Sequence, residues 1–169
     1  MRDYLLDLVE HTYDLGCIDL VKIVGDTSKT EIVGLAEDLS VVIRGNFHNP
    51  VADFVGTFGM PNLGKLKTLL NLQEYKEDAK LSLTKHQTTG NPDGINFENK
   101  TGDFKNSYRF MAPEVIQQKL KDVKFGLDYR GISATDSMNL YSMDARSGTQ
   151  PYNGLSYTSS VAGNWRIAL

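Results

Sequence analysis

An α+β fold, with helices packed on antiparallel sheets, is predicted from three observations. Helical and strand periodicities both occur in this 169-residue chain. They come in blocks, one helix and then several strands, and not in the β-α-β alternation that builds a parallel nucleotide-binding sheet. Turn residues separate the strand blocks by a few positions, which suits antiparallel connections. Hydrophobic residues are 40% and charged residues 23%, so a buried core is attainable.

Residues 3–14 read as an amphipathic helix. Leu5, Leu8, Val9 and Thr12 recur at helical spacing, and Asp3, Asp7, Glu10 and Asp14 form the opposite face. Gly16 is a suitable stop. The period then changes. Residues 18–24, 30–36 and 39–45 are short runs rich in Val and Ile, parted by Gly25-Asp26-Thr27-Ser28 and Glu37-Asp38. Residues 45–50 are a turn, and 51–58 are a fourth strand.

Pro61 or Asn62 starts a second helix. Its buried stripe is Leu63, Leu66, Leu69 and Leu70, and Lys65 and Lys67 flank the exposed side. Strands resume at 80–86, 94–98 and 107–111. A third helix begins at Pro113, with Val115, Ile116, Leu120 and Val123 on one side and Gln117, Lys121 and Lys124 on the other. Ala112-Pro113 is the expected boundary between a first domain, 1–111, and a second, 112–169. Beyond Phe125 there is no Lys, Ser, Gly and Tyr crowd in, and strand signals are weak, with 138–143 the best of them. Residues 125–169 are therefore read as irregular or truncated.

One cysteine, Cys17, excludes an intrachain disulfide and fits a reducing compartment. It precedes an apolar run, so a small buried side chain is expected. Acids fall within the first turns, so no signal peptide is expected. No apolar run approaches the roughly 20 residues of a spanning helix. A cytoplasmic location follows as the expectation.

Net charge is −3, unevenly spread. Residues 1–59 carry 4 basic and 10 acidic side chains, and residues 60–124 carry 11 and 8. A basic middle can meet nucleic acid locally even in an acidic protein, because binding follows the local field.

Motifs for chemistry are few. Residues 59–65 match G-x-x-x-x-G-K between a strand and a helix. A phosphate loop needs Ser or Thr next, to hold Mg²⁺, and Leu66 stands there within the apolar stripe. His11, His48 and His86 are far apart and lack the spacing of metal ligands. No G-x-S-x-G occurs, and Cys17 has no evident His partner. Neither a catalytic site, a metal nor a cofactor is expected. Lys65, Lys67, Lys121 and Lys124 lie on the exposed sides of two helices and are the candidates for sequence-independent phosphate contact.

The stretch 51–71, with Phe58-Gly59-Met60-Pro61-Asn62-Leu63-Gly64-Lys65, resembles the strand-then-helix unit of the sliding clamps, in particular the processivity clamp of T4-like phages. The opening helix with Leu5-Leu6 is similar too. Phe110-Met111-Ala112-Pro113-Glu114-Val115-Ile116 looks like the link into a second clamp domain. The resemblance covers residues 1–124 and implies a DNA-clamp-like fold and a homotrimeric ring around double-stranded DNA. It also implies a polymerase and a clamp loader as partners, in the cytoplasm of an infected cell. Two full clamp domains need more than 169 residues, so the second is read as incomplete. An acidic first helix would repel DNA if it lined the hole. A phage structural or assembly protein is the alternative, and a nucleotide-binding enzyme using residues 59–65 is a third.

Overall fold

The computed structural model describes residues 1–38, 40–76, 78–120, 155–159 and 163–168. They form an α+β structure with two antiparallel sheets and three α-helices. Helix α1 is Arg2–His11, with a single 3-10 turn at Tyr13–Leu15. Gly16 ends it in the left-handed region, φ 81°, where a side chain would be strained. Strands β1 (Leu20–Gly25), β2 (Thr30–Leu35), β3 (Val42–Phe47) and β4 (Gly56–Pro61) precede α2 (Leu63–Asn71). Strands β5 (Lys80–Lys85), β6 (Pro92–Glu98) and β7 (Lys105–Arg109) precede α3 (Pro113–Lys119), and β8 (Leu155–Ser159) and β9 (Gly163–Ala168) follow.

The larger sheet runs β4-β1-β2-β3-β9-β8 and the smaller β5-β6-β7. An Asx turn joins β1 to β2: the Asp26 carboxylate accepts from the amides of Ser28 and Lys29 at 2.6 and 2.9 Å. Bonds from the Ser28 hydroxyl and amide hold that carboxyl below its ordinary range. Strand β9 lies along β3, from Val42 opposite Ala168 to Phe47 opposite Gly163. Strands from either side of Ala112 thus share one sheet.

Both helices bury their apolar stripes in a common core. Leu5 and Leu8 of α1 and Leu63, Leu66, Leu69 and Leu70 of α2 pack with Val21, Ile23 and Ile32 of the large sheet and Ile95 and Phe97 of the small one. The two sheets are stitched together at β4. Gly59 and Met111 exchange backbone hydrogen bonds of 2.9 and 2.7 Å. Phe58 stacks on Phe110 with ring centres 4.5 Å apart. The buried Tyr108 hydroxyl donates to the Pro61 carbonyl at 2.5 Å.

That tyrosine gives stability a dependence on alkaline pH. Burial, and then the charge of Asp19, push the phenol's pKa up from its ordinary value. The unfolded phenol ionises near pH 10 while the folded one stays protonated, so stability present below about pH 10 is lost above it. Tyr108→Phe is expected to cost about 1–3 kcal/mol at neutral pH, by leaving the Pro61 carbonyl unpaired. Above about pH 10 the wild-type urea midpoint should fall more steeply than the variant's; parallel curves would refute the assignment.

Three readings of the sequence need correction beyond shifted strand bounds, which are Val42–Phe47 where 39–45 and a turn at 45–50 were expected, and Lys105–Arg109 where 107–111 was expected. The fourth strand is Gly56–Pro61, not 51–58. Residues 51–54 make a turn closed by the Phe54 amide on the Val51 carbonyl, 2.8 Å, and the Val51 amide is taken by the buried Thr30 hydroxyl, 3.0 Å. Val51 and Phe54 are buried as turn residues, and the strand runs on through Pro61 because β4 is an edge that needs no amide there. Cys17 is exposed, since the turn at Gly16 places it before the strand and burial resumes only at Ile18. Val115 is 44% exposed while its neighbour Ile116 is fully buried, because adjacent helical positions point about 100° apart. The third helix, α3, is Pro113–Lys119, and the expected Val123 position and the strand signal at 138–143 lie outside the described residues.

Candidate nucleic-acid interface

Helix α2 starts abruptly because β4 delivers the chain into it. Asn62, at φ 55°, makes the corner without a side-chain cap of its own. Asp19 supplies the missing acceptors: its backbone carbonyl takes the Leu63 amide and its carboxylate the Gly64 amide, both at 3.2 Å. This is where a phosphate loop would hold its anion. Here a phosphate would meet a carboxylate, and Leu66 is fully buried.

Helix α1 lies against α2. The Arg2 guanidinium donates to the Leu70 carbonyl at 2.8 Å. The 3-10 turn after α1 docks on α2 through Tyr13. A side chain at Gly64 would bring its Cβ within 2.8 Å of the Tyr13 hydroxyl, so the glycine inside the helix makes room for that ring. Next to Tyr13, the Asp14 carboxylate pairs with Lys67 Nζ at 2.7 Å. The Tyr13 ring centre is 5.8 Å from the same ammonium. The pair is at the surface, with side-chain exposures of 43% for Lys67 and 37% for Asp14.

The four candidate lysines are thus placed unequally. Lys65 is exposed; its amide donates to the Asn62 carbonyl at 2.9 Å, and no hydrogen bond or ion pair engages its ammonium among the described residues. Lys67 is engaged by Asp14 and Tyr13. Lys121 and Lys124 lie outside the described residues. On α1, Asp3 and Glu10 are exposed, and the half-buried Asp7 lies 3.5 Å from the His11 ring, which also meets the Asp7 carbonyl at 2.9 Å. His48 and His86 are exposed.

A cleft of about 590 Å³ opens between the small sheet and the start of α3, lined by Thr84, Asn96, Ser107, Arg109, Met111 and Glu114 among others. It mixes Arg109 with Asp93 and Glu114, so charge selects no ligand class for it. Among the described residues no three metal-ligating side chains gather, and no helix is long and apolar enough to cross a membrane.

Sequence reasoning found Lys65 and Lys67 on the outer side of α2. It missed the Asp14 partner, which is 53 residues away along the chain, and the Asp19 cap, 45 residues from Gly64. Neither has a local signal. No protein-family model matches the chain, and no curated protein matches it.

Proposed function

We propose that this protein is a sliding-clamp-like processivity factor, a ring that encircles duplex DNA and tethers a replicative polymerase. The observation that carries the reading is the pairing of α1 with α2 over one core shared with two antiparallel sheets, in the order helix, strands, helix, strands. That is the order on which the sequence resemblance rests. Topological linkage gives processivity without tight binding, so a ring needs only diffuse phosphate contacts. Lys65 offers such a contact on α2, in a protein whose net charge is −3.

Two measurements test this. Three copies of 18.8 kDa give about 56 kDa, the mass expected by sedimentation equilibrium for the trimeric family arrangement. A mass of one copy at all concentrations would remove the ring. Exchange of Lys65, Lys67, Lys121 and Lys124 for Glu is expected to abolish stimulation of the cognate polymerase on long primed templates, with the circular dichroism spectrum unchanged. Undiminished stimulation would remove these lysines from the DNA path.

A further inference from the structure

Asp14 does not belong to the lysine set, yet it decides what one of those lysines can do. We propose that the Asp14–Lys67 pair is an autoinhibitory contact: Asp14 withholds Lys67 from phosphate and keeps the protein's grip on nucleic acid weak. This rests on the clamp-like reading and adds a regulatory residue to it.

The contact is built, not incidental. Tyr13 and Asp14 sit in a 3-10 turn closed by the Leu15 amide on the Thr12 carbonyl, 3.2 Å, and by the Gly16 amide on the Tyr13 carbonyl, 2.9 Å. The Thr12 side chain is buried, its hydroxyl on the Leu8 carbonyl at 2.6 Å, which anchors the turn to α1. Tyr13 seats on α2 in the space left by Gly64. Lys67 Nζ then lies between a carboxylate oxygen at 2.7 Å and an aromatic face.

A phosphate oxygen bids for the same ammonium as Asp14 does. The ammonium has three donors, so what sets the two anions against each other is their like charge at close range and the share of the Lys67 charge that Asp14 already offsets. Exposure of about two-fifths on both partners leaves the pair open to exchange, and exposed pairs of this kind are weak. Phosphate can therefore win locally, but at reduced affinity. Lys65, two positions earlier, carries no such restraint. The Asp14 charge would also repel DNA at longer range, and that effect must be separated from the direct one.

The test is a double-mutant cycle on the full-length protein. Affinity for a fluorescein-labelled linear duplex would be read by anisotropy, over roughly 50–200 mM salt. Asp14→Asn is expected to tighten binding by about twofold to fivefold, the range in which exposed ion pairs act. It should also steepen the dependence of log affinity on log salt by up to about 0.9 for the one cation released. In a Lys67→Gln background the same substitution should have no effect. An equal gain in both backgrounds would mean that Asp14 acts only as a distant charge, and would overturn the proposal. No gain from Asp14→Asn, with Lys65→Glu and Lys67→Glu still weakening binding, would overturn it and leave the DNA-facing reading standing. If neither lysine exchange altered binding either, that reading would fall as well. Thermal melting of each variant identifies any loss of fold.

Discussion

Gly25→Ala is expected to lower stability by about 3 kcal/mol or more, toward the upper end of what overpacking costs. Gly25 closes β1, opposite Thr30 on one side and Gly56 on the other. A Cβ there would stand 1.7 Å from the Phe54 carbonyl oxygen and 2.8 Å from its carbon. Both are backbone atoms, so no rotamer change relieves the clash. The 51–54 turn would have to leave the sheet, taking the buried Phe54 ring with it. Gly34→Ala is the control. Its Cβ would meet the Ile43 Cγ2 methyl at 2.6 Å and the Ile18 Cγ2 methyl at 3.1 Å, and side chains can yield. The urea midpoint should fall for both and further for Gly25→Ala; the reverse order would show that the 51–54 turn moves freely.

Phe58→Ala should cost about 3–5 kcal/mol, the range for emptying a buried aromatic site. Phe58 has no exposed surface. It stacks on Phe110 at 4.5 Å and meets Phe54 edge-on at 5.7 Å. Against the roughly 5–15 kcal/mol that holds an ordinary domain together, this is a large fraction. The position of the ring adds a second expectation. Phe58 belongs to the large sheet and Phe110 follows the small one, so the cavity falls between the two sheets. Native-state hydrogen exchange should accelerate in β5–β7 more than in β1–β3. Phe58→Leu, which keeps most of the volume, should recover most of the loss. Uniform acceleration across both sheets would indicate that Phe58 does not join them.

Most elements were legible because their signals are local. The stripe Leu63, Leu66, Leu69 and Leu70 predicts α2 and its buried face, and all four are buried. Pro113 at the first helical position predicts the start of α3. Other features depend on partners distant in sequence. Val51, Phe54, Val55 and Phe58 make an apolar-rich run, which a strand and a buried turn share, and only the Thr30 hydroxyl and the clash at Gly25 distinguish the two. Val115 and Ile116 are equally apolar, and only the approach of Ile116 to Gly59 shows which one faces the sheet. The candidate interface was half legible for the same reason. Helical spacing puts Lys65 and Lys67 outside, but the charge available there is set by Asp14, across a contact that spans 53 residues.

The pairing of β9 with β3 has a consequence for biosynthesis. β3 ends at Phe47 and its partner begins at Gly163, so well over half the chain is made between them. Until then a nascent chain holds β3 as an unpaired edge, with amides and carbonyls open to any neighbouring strand. Contacts this far apart in sequence also close slowly. The growing chain is therefore expected to carry this edge exposed to mispairing until β9 emerges.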